Sequence, residues 1–156
     1  MGNSMATVDQ TMIKVQRLLT GAMNLRIQLM GDFIRVTFND TSTAVHLRVV
    51  DWGKTKDGEP QTLVRISAPV LYNVKPVPEL YQYLMREAPQ KWFGNYTVAD
   101  DQDNPGMLSV SVVYTLLGDY LDEEELAAGM YGVLWAADEQ DDVMQKRFGG
   151  KRWVDA

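Results

Sequence analysis

His46 is the single histidine in 156 residues, and the chain has no cysteine. One imidazole gives no Ser/His/Asp geometry by itself, and no second one is present to complete a common zinc set. A structural role at an outward strand position is expected of it. The run Asp101 to Gly106 opens like a calcium loop. Pro105 then occupies the fifth ligand place, Val112 stands where a bidentate glutamate is required, and a strand follows instead of a helix. A plain acidic turn is expected there. Gly149-Gly150-Lys151 follows a helix instead of preceding one, so no helix N-terminus faces a phosphate. The other carboxylates fall in turns and at helix ends, where solvation or capping accounts for them. No catalytic residue, metal or cofactor is expected, and the chain reads as non-enzymatic.

Aromatic side chains remain as candidates for binding. Tyr81, Tyr83, Trp92 and Phe93 surround a middle helix, and Tyr131 and Trp135 stand one turn apart on the last one. They are read as contacts for a partner segment or for a second copy of the chain, with rim core as the alternative for the last pair. Ala128, Gly132 and Ala136 line up at four-residue spacing, joined by Gly129. Glycine inside a helix costs roughly 1 kcal/mol relative to alanine, so a close neighbour is expected there. That neighbour is the sheet, the first helix or another subunit.

Charge is uneven. The net charge is −6, yet no Lys or Arg occurs from Trp92 to Gln145, while acids recur from Asp100 to Asp142. This is a solvated acidic face or a docking face for a basic partner. The outward strand positions are basic: Arg26, Arg35, His46, Arg48 and Arg65. RNA-binding sheets present exposed aromatics for stacking, and these outward positions hold none, so nucleic acid is not an expected partner.

The elements that position these residues are organised around the stretch Gly118 to Gly150. Asp122 is placed as N-cap with Glu125 closing a capping box, and Leu121 and Leu126 are spaced as a hydrophobic staple. Glu123, Glu124 and Glu125 suit the positive helix end, Lys146 and Arg147 the negative one, and Gly149 stops the run. The spacing predicts a helix of roughly 25 residues, about 37 Å long. Leu126, Met130, Val133, Leu134, Ala137, Met144 and Phe148 form its buried stripe.

An apolar floor must cover that stripe, and the first half of the chain supplies it. Thr7 caps a first helix with Val8, Met12, Val15 and Leu19 on one face. Then the period becomes two in Leu25–Leu29, Ile34–Phe38, Val45–Val49 and Val64–Ala68, with Asp51 to Gln61 read as a loop and Pro69 as a strand end. Pro78 opens the middle helix, whose stripe is Leu80, Leu84 and Met85, and Pro89 limits it. Tyr96–Val98 and Leu108–Leu116 add two strands around the acidic turn. The fold class is α+β, an antiparallel sheet with helices mainly on one face, in the order α-β(3-4)-α-β-β-α.

Length fits one domain, here 7–150, with 1–6 as a flexible leader and 151–156 as a C-terminal tail. No apolar run approaches the roughly 20 residues of a membrane span, no secretory signal is visible, and the lack of cysteine suits the cytoplasm.

Thr115-Leu116-Leu117-Gly118-Asp119-Tyr120-Leu121, Glu124-Glu125-Leu126, Ala136-Ala137-Asp138, Asp141-Asp142 and Arg147-Phe148-Gly149-Gly150 resemble the C-terminal signature of the YbjN-like proteins. That group is related in fold to type III secretion chaperones of the CesT kind. Asp51-Trp52-Gly53 and Ser67-Ala68-Pro69-Val70-Leu71 look like its actinobacterial members. The resemblance implies a chaperone-like domain, often a homodimer, that binds extended peptide segments of partner proteins without chemistry. A regulatory domain sensing a small ligand is the alternative.

Overall fold

Alternation of aliphatic and polar side chains produces a six-stranded antiparallel sheet, and the computed structural model describes it within residues 7–89 and 93–156. The strands are β1 (Ile27–Leu29), β2 (Ile34–Thr37), β3 (Ala44–Lys54), β4 (Pro60–Val74), β5 (Asn95–Asp100) and β6 (Leu108–Leu117), in the spatial order β1-β2-β3-β4-β6-β5. One face holds Ile34, Val36, Val45, Leu47, Val64 and Ile66, all buried. Helix α1 (Val8–Arg17) and helix α3 (Glu123–Phe148) pack on this face, α3 lying over β3, β4 and β6. The architecture is α+β with helices on one side, in the expected order of elements.

The caps work as their residue types dictate. Thr7 and Gln10 close a reciprocal capping box on α1. Asp122 accepts the Glu125 amide at 2.8 Å, so the N-cap of α3 is made by Asp122 alone, without a return bond from the Glu125 side chain. Leu121 and Leu126 are both buried beside it, and Gly149 leaves the helix at φ +74°. Gly129 sits over Ile66, Tyr114 and Leu116, where an added Cβ would come within 3.1–3.3 Å. Gly132 receives the Phe93 ring, which a Cβ would meet at 2.6 Å. Gly129 and Gly132 are therefore covered from within the chain, while Ala128 is exposed.

Four local readings need correction. β3 continues to Lys54 and β4 begins at Pro60, so the loop shrinks to residues 55–59; a register shift between Asp51 and Gly53 hides the alternation there. β4 also passes through Pro69 to Val74, because a register shift between Pro69 and Leu71 absorbs the missing donor, while the Pro69 carbonyl accepts from Thr43 Oγ1 at 2.6 Å. β1 starts at Ile27, and Leu29 is exposed at the edge of the sheet. In the middle helix, α2 (Pro78–Gln82) runs into a π turn over Tyr83–Glu87. Met85, five residues after Leu80 and thus about 140° round the axis, faces solvent, while Tyr83 at three residues takes the buried position.

Residues 151–156 fold back onto the sheet. Lys151 exchanges two backbone hydrogen bonds with Tyr72, at 2.7 and 2.8 Å, and Arg152 pairs with Asp142 and Asp155. The Arg152 guanidinium first, then the Gln145 amide, hold the Asp155 carboxyl down to about 2.

The acidic stretch of α3 is partly internal. Ser42 donates its backbone N–H and its hydroxyl to Asp138, each at 2.7 Å, and the same hydroxyl contacts Asp141. One hydroxyl proton cannot serve two carboxylates, whereas a protonated Asp141 can donate to Ser42 Oγ and leave the hydroxyl proton for Asp138. Burial, opposed by the Ser42 bond, raises the Asp141 carboxyl above its ordinary value. A raised native carboxyl binds its proton more tightly than the unfolded chain does. Its contribution to stability is thus full below the ordinary carboxylate range and falls as pH rises toward the native value. Asp141→Asn is expected to gain stability relative to the parent as pH rises toward neutral. Urea unfolding at pH 4 and pH 7 checks this: the gap between variant and parent should widen at pH 7, and an equal loss of stability at both would refute a carboxyl raised in the native state.

Candidate functional site

The middle helix and β5 enclose a groove in which apolar and polar groups are mixed. β5 is one of the two edge strands, paired on one side with β6 through Asn95–Val113 to Asp100–Leu108. Among the described residues no strand pairs with its other side. Tyr81, Leu84 and Met85 from the middle helix face Tyr96 and Val98 of β5 across a groove of about 410 Å³, closed at one end by Ala88 and Pro89. Met85 is 84% exposed and Tyr81 45% exposed, so both remain available to a neighbour.

The structure separates the six aromatics that sequence spacing groups together. Tyr81 lines the groove. Tyr83 is buried: its hydroxyl donates to Gln140 at 2.7 Å, its ring meets Phe148 at 5.6 Å, and the Arg147 guanidinium lies 5.0 Å from the ring centroid. Burial raises its phenol, with Arg147 opposing. Tyr83 therefore anchors the middle helix to α3 and cannot itself reach a partner. Phe93 is half-buried edge-on against Tyr114, over Gly132. Trp92 lies outside the described residues. Tyr131 and Trp135 stack on α3 at 5.7 Å, and Phe38 meets Tyr131 at 5.9 Å. Trp135 is 60% exposed, a second apolar strip away from the groove.

Met85, Tyr96 and Val98 belong to the groove and escape sequence reasoning. The helical angle from Leu80 would have found Met85. Tyr96 and Val98 become groove residues only because β5 falls at the sheet edge, a fact of strand order that local spacing does not carry.

The polar candidates are engaged. Asp101 is buried in its turn. Desolvation pushes its carboxyl upward, but bonds from the Asn73, Asp103 and Asn104 amides and the Asn104 side chain outweigh this and hold it below its ordinary value. His46 accepts the Arg35 Nε–H at its Nε2, 3.2 Å away. Burial first, then the Arg35 and Arg48 charges, lower it to about 4, so it is neutral near pH 7.

A six-stranded antiparallel sheet with helices on one face and an open outer edge places the chain among helix–sheet α+β domains. Neither a protein-family model nor a curated protein matches the sequence. Among solved structures the chain is similar to YbjN of E. coli, a candidate transcription regulator, with a TM-score of 0.56 over 85% of this chain and 93% of that one. Identity is 11%, so the likeness is one of architecture. No helix among the described residues is long and apolar enough to cross a membrane.

Proposed function

We propose that the protein is a non-enzymatic, chaperone-like module of the YbjN type that holds an extended segment of a partner protein in the cytoplasm. The observation that carries this reading is the unpaired edge of β5 beside the groove. An added strand gains main-chain hydrogen bonds along such an edge, and alternate side chains enter the adjoining pocket. Tyr81, Met85, Tyr96 and Val98 would receive those side chains. The engaged state of His46, Asp101 and Asp141 supports a role in binding over one in acid–base chemistry. In this reading the Tyr131–Trp135 strip is the face for a second copy of the chain, giving the homodimer that the secretion-chaperone resemblance implies.

A random library of displayed 12-residue peptides, selected on the whole chain, supplies the probe. Selected peptides are expected to bind a Tyr81→Ser/Met85→Ser variant at least tenfold more weakly by fluorescence polarisation, a loss of about 1.4 kcal/mol. Trp135→Ser should leave the affinity unchanged. Peptides held equally by the groove variant, or a library that yields no binder, would overturn the reading.

A further inference from the structure

The sheet face opposite the helices is a second surface, and its charges are poorly matched. Arg35, His46 and Ser67 are successive cross-strand neighbours on β2, β3 and β4, and Arg48 sits directly opposite Arg65. Like charges directly opposite each other destabilise a sheet. No ion pair offsets Arg65 or Arg35 among the described residues, and Arg35 Nε–H goes to a neutral imidazole. Arg48 has Asp32 at 3.3 Å, but both side chains are largely exposed, at the rim. Three guanidinium groups thus meet on one face of a chain whose net charge is −6.

The cluster is also held in place. Phe33 lies under both Arg35 and Arg48, at 5.9 and 5.7 Å, and Trp153 from the returning C-terminus lies 6.0 Å from Arg35. Stacking on aromatic rings restrains a guanidinium before any ligand arrives. Beyond Arg48 and Arg65 the concavity continues across β4, β6 and β5 with the hydroxyls of Ser67, Ser111 and Thr97, and with Val50 and Val113 as its apolar floor. Its volume is about 470 Å³, within the range of small-molecule sites. One end therefore offers planar donor forks that match an oxyanion in bidentate fashion, and the other offers hydroxyl groups.

We propose that this concave face binds a small phosphate-bearing ligand with a hydroxylated body, of the sugar-phosphate class, with Arg48 and Arg65 holding the phosphate, Arg35 adding its charge from beside the site, and Ser67, Ser111 and Thr97 facing the hydroxyls. The site is independent of the β5 groove and stands whether or not that edge takes a peptide. A long polyanion fits less well. The cations span only three strands, about 10 Å, and the net negative charge of the chain repels an extended phosphate backbone.

Calorimetric titration of the whole chain at low salt with glucose 6-phosphate, AMP and glucose tests the assignment, with a 12-nucleotide single-stranded RNA as a further arm. Binding of at least one phosphorylated probe and no binding of glucose is expected, with affinity falling as salt rises. Arg65→Ala should weaken that binding at least tenfold while its own melting temperature stays level or rises, because removing Arg65 also removes the repulsion with Arg48. A merely structural arginine would show the reverse pattern, a lower melting temperature and unchanged affinity. No heat from either phosphorylated probe, equal binding by Arg65→Ala, or RNA binding tenfold tighter than both would overturn the proposal.

Discussion

Truncating Leu134 to alanine is expected to destabilise the protein by about 2–5 kcal/mol, the range for removing a buried leucine from a packed core. Leu134 is 1% exposed on the side of α3 that faces the sheet, and its neighbours are fixed by strand pairing, so the space it leaves cannot close easily. The adjacent Trp135 points the other way and is 60% exposed. Trp135→Ser is expected to cost clearly less, because it removes a largely exposed ring stacked on Tyr131 and opens no core cavity. Urea unfolding of both variants, at constant denaturant slope, measures the contrast. Comparable losses from the two would mean that α3 presents a different side to the sheet.

The second large effect is expected at Gly94. Its φ is +87°, and a Cβ built there would stand 2.7 Å from the Val113 carbonyl oxygen and 3.1 Å from Val112 Cγ1. Alanine meets two penalties at once: about 1–2 kcal/mol for the left-handed backbone and about 1–3 kcal/mol for crowding against β6. A total of roughly 2–5 kcal/mol follows, concentrated where β5 joins the sheet. Hydrogen exchange should show lost protection over residues 95–100 with β2 to β4 retained, and peptides selected on the parent should bind the variant weakly. Uniform loss across the sheet, or unchanged protection of β5, would contradict this placing of the strain.

Much of the architecture is legible in the residues because its signals are local. Asp122 with the acidic first turn, Lys146 and Arg147 in the last turn, and Gly149 bound α3 within one chain segment. The alternation at Ile34–Val36, Val45–Val49 and Val64–Ala68 sets which side of each strand is buried. What fails locally depends on partners distant in the chain. Asp51, Trp52 and Gly53 read as loop by composition, yet Thr62 and Gln61 draw them into the sheet across a bulge. The tail looks uncommitted until Lys151 finds Tyr72, some eighty positions earlier. The aromatic candidates show the same limit. Residue type marks Tyr81, Tyr83, Phe93, Tyr131 and Trp135 as equally good contacts, but helical phase turns Tyr83 inward and the close approach to Gly132 takes up Phe93. Phe33 was invisible as part of the basic face, since it precedes β2 and does not share its alternation.

The strand order also carries a message about how the chain comes together in time. β1 to β4 are joined to one another in chain order, through the pairs β1–β2, β2–β3 and β3–β4. A four-strand ribbon can thus assemble while the later segments are still being synthesised. The β4–β6 seam is different, because the whole middle helix and β5 lie between those partners. Closing so long an intervening stretch is entropically slower than zipping a hairpin. Until β6 arrives, the far margin of β4 stays open, and during that interval a nascent chain is most exposed to mispairing with its neighbours.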